Sequence, residues 1–138
     1  MRVLGIDYGE KRIGLAVSDP LGFSAQGIET ILYRDKKRFF EALLKICKEN
    51  NVGEIVIGLP INMNGSMGPK AKEVLELVPE MEKALSVTVK TWDERLSSRE
   101  ASRLMIEEGL SRKKQRAQSD RLAATILLQS YLESKRKG

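Results

Sequence analysis

Histidine is absent from this chain, cysteine occurs once, tryptophan once, and the other aromatic residues are few. Without imidazole, Ser-His-Asp and Cys-His nucleophilic systems, histidine zinc sites and histidine proton shuttles are excluded. Any hydrolysis must rest on carboxylates, lysine or metal-bound water. Cys47 alone closes no internal disulfide and builds no cysteine-rich zinc site. Its place in a helical apolar pattern makes it a small core residue. There is no run of about 18 apolar residues and no charged-then-apolar leader, so no membrane span or secretory signal is expected. The expected compartment is the cytoplasm. P-loop and G-x-G-x-x-G fingerprints are missing too.

What is present suits one domain over residues 1–138, since 41% apolar content with 31% charge reads as globular with a single core. The net charge of +5 is unevenly spread: residues 1–94 carry 13 basic and 14 acidic side chains, residues 95–138 carry 11 and 5. Such a basic end suits a polyanion, nucleic acid foremost, although a solubilising surface gives the same excess.

Three acids stand where acids are unusual. Asp7 closes the strand-like run Val3-Leu4-Gly5-Ile6-Asp7-Tyr8, Glu94 follows the strand-like Val87 to Trp92, and Asp120 heads an apolar helix stripe. Carboxylates are poor strand residues and are rarely buried unless paired or bound to a metal. The three together suggest one cation site.

Around them the elements follow in a regular order. Arg12 to Ser18 alternates as a strand, joined to the first by the tight Gly9-Glu10-Lys11 connection. Asp19-Pro20-Leu21-Gly22 suits a type I turn, and a third strand is expected from about Phe23 to Tyr33. Helical spacing of Phe39, Phe40, Leu43, Leu44 and Cys47 predicts a helix near 35–50. The continuous apolar run Ile55 to Leu59 predicts a buried parallel strand. A turn-rich loop from Pro60 to Gly68 precedes a second helix with Ala71, Val74, Leu75, Val78, Met81 and Leu85 on its apolar face, which Pro79 is expected to kink or split. Ser97 and Glu100 form a capping box for a helix carrying Ala101, Leu104 and Met105 and ending at Gly109. After an expected basic interhelical loop, Ser111 to Gln118, the last helix turns Leu122, Ala123, Ile126, Leu127 and Tyr131 inward. This order gives an α/β domain: a mixed five-stranded sheet, with an antiparallel three-strand meander and two parallel strands, flanked by helices. Functional groups then gather at the carboxyl ends of the central strands, where Asp7, Leu59-Pro60 and Asp93-Glu94 all fall.

Gly5-Ile6-Asp7-Tyr8-Gly9 through Asp19, Gly58-Leu59-Pro60 with Asn62, Asn64, Gly65 and Ser66, Asp93-Glu94-Arg95-Leu96-Ser97, and Asp120 with Ala123-Ala124 and Ile126 to Leu132 together resemble the YqgF family. That family comprises small bacterial proteins with the RNase H-like fold, similar to RuvC resolvases, assigned as candidate pre-16S rRNA nucleases and earlier as candidate Holliday junction resolvases. The likeness covers nearly the whole chain in the family's order. It implies a nuclease whose catalytic acids are Asp7, Glu94 and Asp120, with Asp93 an additional acid and the choice between Asp93 and Glu94 open. The Gly58-Leu59 strand end carries no carboxylate where resolvases usually have one.

The expected cofactor is Mg²⁺ or Mn²⁺, as two ions roughly 3.5 to 4 Å apart, because hard cations take oxygen ligands and act on phosphodiesters in pairs. Asp7 would bridge them, and Glu94 and Asp120 would each hold one. The expected partner is pre-rRNA or branched DNA, with no membrane, and the protein a monomer or homodimer. Arg112, Lys113, Lys114 and Arg116 ahead of Asp120, Arg95 after Glu94, and Lys11 and Arg12 in the first hairpin are the phosphate-contacting candidates. A solvated charged face is the plain alternative for each. Two rival classes are an actin-like ATPase, which shares the opening Asp-x-Gly hairpin but pairs two lobes, and a nucleic-acid-binding module that does not cut.

Overall fold

The computed structural model describes residues 1–96 and 112–137. The capping box at Ser97 and Glu100 and the helix expected to end at Gly109 lie outside the described residues, as do the side chains of residues 112–121.

Strands β1 (Arg2–Tyr8), β2 (Arg12–Ser18) and β3 (Ala25–Leu32) form an antiparallel meander. Helix α1 (Lys36–Glu49) crosses to β4 (Val52–Leu59), and α2 (Pro69–Leu85) crosses to β5 (Thr88–Asp93). A single 3-10 turn, Glu94–Leu96, follows, and α3 (Arg112–Lys137) ends the chain. In space the strands run β3-β2-β1-β4-β5, with β4 parallel to both β1 and β5. Thus β2, β1 and β4 lie inside the sheet with both faces covered.

Strand alternation sends the two faces to different helices. Leu4, Ile6 and Tyr8 pack with Ile55 and Ile57 against the buried sides of α1 and α2. Val3, Ala16 and Val56 meet Ala124, Leu127, Leu128 and Tyr131 of α3 on the other face. Burial of a large side chain of this kind is worth about 1.5–3 kcal/mol, so the two layers supply most of the driving force.

Helix α1 begins where Asp35 accepts a hydrogen bond from the Arg38 amide at 2.8 Å, and it buries Phe39, Leu43, Ile46 and Cys47. In α2 two expectations are corrected. Leu75 is 40% exposed while Leu77 is 4% exposed. At about 100° per residue Leu77 lies nearer than Leu75 to the centre of the stripe set by Ala71, Val74, Met81 and Leu85. Of the kink or split expected at Pro79, the split does not occur, since the helix runs from Pro69 to Leu85. Pro79 is exposed, as is Leu75, the residue whose carbonyl loses its amide partner, so the break costs little.

The basic segment beginning at Arg112 is also corrected from loop to helix. In the same helix the buried stripe comprises Ala124, Ile126, Leu127, Leu128, Tyr131 and Leu132, while Leu122 and Ala123 are only half-buried. No helix among the described residues is long and apolar enough to cross a membrane.

Candidate active site

The two faces of the sheet decide which acids can meet. In β1, Val3 points toward α3, so Asp7, four residues on, points the same way. Gly58 follows Val56 in β4 and Glu94 follows Trp92 beyond β5, and both Val56 and Trp92 face α3. Asp7, Gly58 and Glu94 therefore share a face at the carboxyl end of three adjacent strands. Asp93 has the opposite parity.

Glu94 folds back across β4 to reach Asp7. A Cβ placed on Gly58 would stand 2.5 Å from Glu94 Oε1 and 2.6 Å from Leu127 Cδ1, so the carboxylate occupies the space left by the missing side chain. Glu94 and Asp7 share a hydrogen bond, and burial, the Asp7 charge and that bond push the Glu94 carboxyl up to about 8. Asp93 adds to this pressure, while Lys70 opposes it. Such a pair holds at least one proton at neutral pH when no cation is present.

Asp93 is engaged elsewhere. Its Oδ1 accepts from the Arg95 amide at 3.0 Å, and Arg95 Nη2 lies 2.7 Å from Oδ2. The guanidinium beside it holds the Asp93 carboxyl below the usual carboxylate range. Arg95 is consequently turned to Asp93, and the Asp7 pocket receives Glu94.

Asp120 lies in α3 four residues before Ala124 and seven before Leu127, but its side chain lies outside the described residues, as do those of Arg112, Lys113, Lys114 and Arg116. Among the described residues no group of three or more metal-ligating side chains is gathered. Lys11 in the β1–β2 connection and Arg12 at the start of β2 are exposed, at the same end of β1 as Asp7.

The loop after β4 is a built hairpin. Ile61 bridges Met67, the Asn62 amide donates to the Ser66 carbonyl at 3.0 Å, and Asn64 Oδ1 accepts from the Ser66 amide and hydroxyl. Gly65 has φ +86°, which permits the turn at its tip. Lys70, in the first turn of α2 beyond this loop, was not singled out from the sequence. Its only local signal is that it follows a Gly-Pro helix start after a strand end.

A sequence profile described as "RuvX: Holliday junction resolvase" matches residues 1–134. A Syntrophomonas wolfei protein named "Putative pre-16S rRNA nuclease" is 47% identical over 133 residues, covering 96% of this chain and 94% of that protein. A protein of the same name from Clostridium botulinum strain Eklund 17B is 50% identical over 133 residues, covering 96% and 97%. Among solved structures, Thermus thermophilus RuvC superposes with a TM-score of 0.60 at 17% identity, covering 99% of this chain and 97% of that one. The Fowlpox virus resolvase bound to Holliday junction DNA gives 0.60 at 13% identity, covering 98% and 99%. At such low identity these two structures speak for the fold, which is that of RuvC-like resolvases with an RNase H-like sheet. The profile match over residues 1–134, joined by relatives about half identical along nearly their full length, means that the chain belongs to the RuvX family, the YqgF family its motifs resemble.

Proposed function

We propose that this chain is a divalent-metal-dependent nuclease that hydrolyses phosphodiester bonds, acting on the 5′ end of precursor 16S rRNA ahead of branched DNA. The observation that carries the reading is the Asp7–Glu94 pair, two acids 87 positions apart in sequence, brought into one half-buried pocket and sharing a hydrogen bond.

The donor set fits a hard cation. Carboxylate oxygens are the ligands that Mg²⁺ and Mn²⁺ prefer, and a cation would relieve the repulsion and burial that now drive Glu94 toward protonation. When bound, two such ions supply Lewis-acid stabilisation of the charge that develops on a reacting phosphate. Asp7 would hold both ions, with Glu94 and Asp120 holding one each. Asp7 is suited to this because β1 is central in the sheet and its backbone is paired on both sides. Glu94 is oriented by its seat on Gly58 and Leu127. Arg95 keeps Asp93 out of the pair. Lys11 and Arg12 at the rim, with Arg112, Lys113, Lys114 and Arg116 of α3, would bind substrate phosphates without reading bases. The preference for RNA rests on what the two bacterial relatives are named for.

The test is a side-by-side digestion of precursor 16S rRNA and a four-way DNA junction with Mg²⁺ or Mn²⁺, with Asp7→Asn as control. Cleavage of the RNA that stops in Asp7→Asn supports the reading. Preferential cutting of the junction would move the substrate to branched DNA, and symmetric cutting there would require a dimer. Full activity of Asp7→Asn refutes the site assignment.

A further inference from the structure

We propose that Lys70 is a phosphate-anchoring residue of this site, seated on the ring of Tyr8, with Glu10 holding its charge until a substrate phosphate takes Glu10's place. The proposal rests on the nuclease reading above. Lys70 is the second residue of α2, and α2 follows the hairpin leaving the carboxyl end of β4. Its Nζ is 5.8 Å from the centroid of the Tyr8 ring and 3.8 Å from Glu10 Oε1. Tyr8 follows Asp7 in β1 and faces the α1–α2 layer where Asp7 faces α3, both at the carboxyl end of the strand, and Glu10 lies in the turn to β2. One ammonium thus stands at the carboxyl edge of the sheet that also carries Asp7 and Glu94, on the Tyr8 side of that edge.

The two contacts differ in permanence. Tyr8 is buried, with Tyr33 and Phe39 against its ring at 5.8 and 5.9 Å, and its hydroxyl donates to Glu73 at 3.1 Å. Glu73 lies three residues beyond Lys70, on the adjacent turn, so this bond ties the start of α2 to β1. The seat under Lys70 is therefore fixed. Glu10, by contrast, has a side chain 83% exposed, and its oxygen is beyond hydrogen-bond range of the ammonium. It is an exchangeable partner.

Chemistry gives the arrangement a purpose. A phosphate approaching two carboxylates is repelled by them, and a cation at the same rim offsets that repulsion. Lysine suits the task because its ammonium is a compact charge with three donors on a flexible stem, able to meet a non-bridging oxygen whatever the base. The Lys70 side chain is 30% exposed, open to such an oxygen while its stem stays packed.

Opposite signs at the two residues separate this role from a structural one. A lysine that only solubilises α2 or braces Tyr8 would leave binding indifferent to Glu10. The wild-type chain, Lys70→Met, Lys70→Arg and Glu10→Gln should be titrated against a fluorescein-labelled precursor-rRNA fragment across a salt series, with Tm measured for each. Methionine keeps an unbranched stem over Tyr8. Lys70→Met should weaken binding about tenfold and reduce the slope of log affinity against log salt by about one unit. Lys70→Arg should bind close to wild type, and Glu10→Gln should bind more tightly. An unchanged slope in Lys70→Met, or weakening by Glu10→Gln to the same degree, overturns the proposal while leaving the nuclease reading intact. Failure of the wild-type chain to bind the RNA at all overturns this proposal together with the RNA assignment on which it rests.

Discussion

The carboxylate of Glu94 lies where a side chain at Gly58 would be, with Oε1 2.5 Å and Cγ 2.9 Å from the position of a Cβ on that glycine. The pocket therefore draws its second acid from the end of β5 rather than from β4. An acid at position 58 could enter only by displacing Glu94.

Gly58→Ala should accordingly cost stability by overpacking, about 1–3 kcal/mol, and lower metal-dependent cleavage by moving Glu94. The shorter acid in Glu94→Asp makes room for the added methyl. In a double-mutant cycle followed by denaturant unfolding, the two changes should be non-additive, with the double variant more stable than the sum of the single losses allows. Additive losses would mean that Gly58 and Glu94 do not compete for this space.

The Glu94 carboxyl, raised from 4.5 to about 8 in the folded chain, has a defined signature in pH. A raised acid keeps its proton when folded and loses it when unfolded, so metal-free stability should fall as pH rises from about 4.5 to about 8, then level off. Glu94→Gln removes that dependence. Its Tm in EDTA should exceed that of the wild type most at pH 8 and least at pH 5. A Tm difference independent of pH would count against the Asp7–Glu94 coupling.

Divalent ions should compete with the same proton. The rising limb of cleavage rate against pH should move to lower pH as Mg²⁺ is raised, and Mg²⁺ addition near pH 7 should release protons detectable with an indicator dye. A limb that stays in place over a hundredfold range of Mg²⁺ would place the titrating group outside the metal site.

Neutralising Arg112, Lys113 and Lys114 together should flatten the salt dependence of nucleic-acid binding by up to about two to three units if all three meet phosphates. The slope of log Kd against log salt measures this directly. An unchanged slope would make the segment a solvated helix face.

Asp35→Ala should destabilise the protein by about 0.5–2 kcal/mol, because Asp35 receives the Arg38 amide at the start of α1. Urea unfolding should show the loss, and cleavage at saturating substrate should stay unchanged, since α1 packs on the face of the sheet away from Asp7. Loss of activity without loss of stability would contradict that separation.

Much of the scaffold was legible because its signals are local. Period-two alternation marked β2 with the observed bounds, a continuous apolar run marked β4, and helical spacing after Asp35 marked α1. Asp7 declared itself as an acid in an apolar strand. Leu75 and Leu77 were harder to rank, because at about 100° per residue they lie on opposite flanks of the α2 stripe at nearly equal angles from its centre. Pro79 was likewise legible as a breaker, but its tolerance depends on facing water.

The five strands, the first two helices and the acids worth watching are each written in a short window of side-chain periodicity. That Glu94 rather than Asp93 turns toward Asp7, that Gly58 makes room for it, and that Lys70 stands at the same edge of the sheet depend instead on long-range packing. The reason is geometric. Adjacent residues in a strand face opposite layers, and which layer lines the pocket is fixed by α3 packing across strands up to about 120 residues away in the chain.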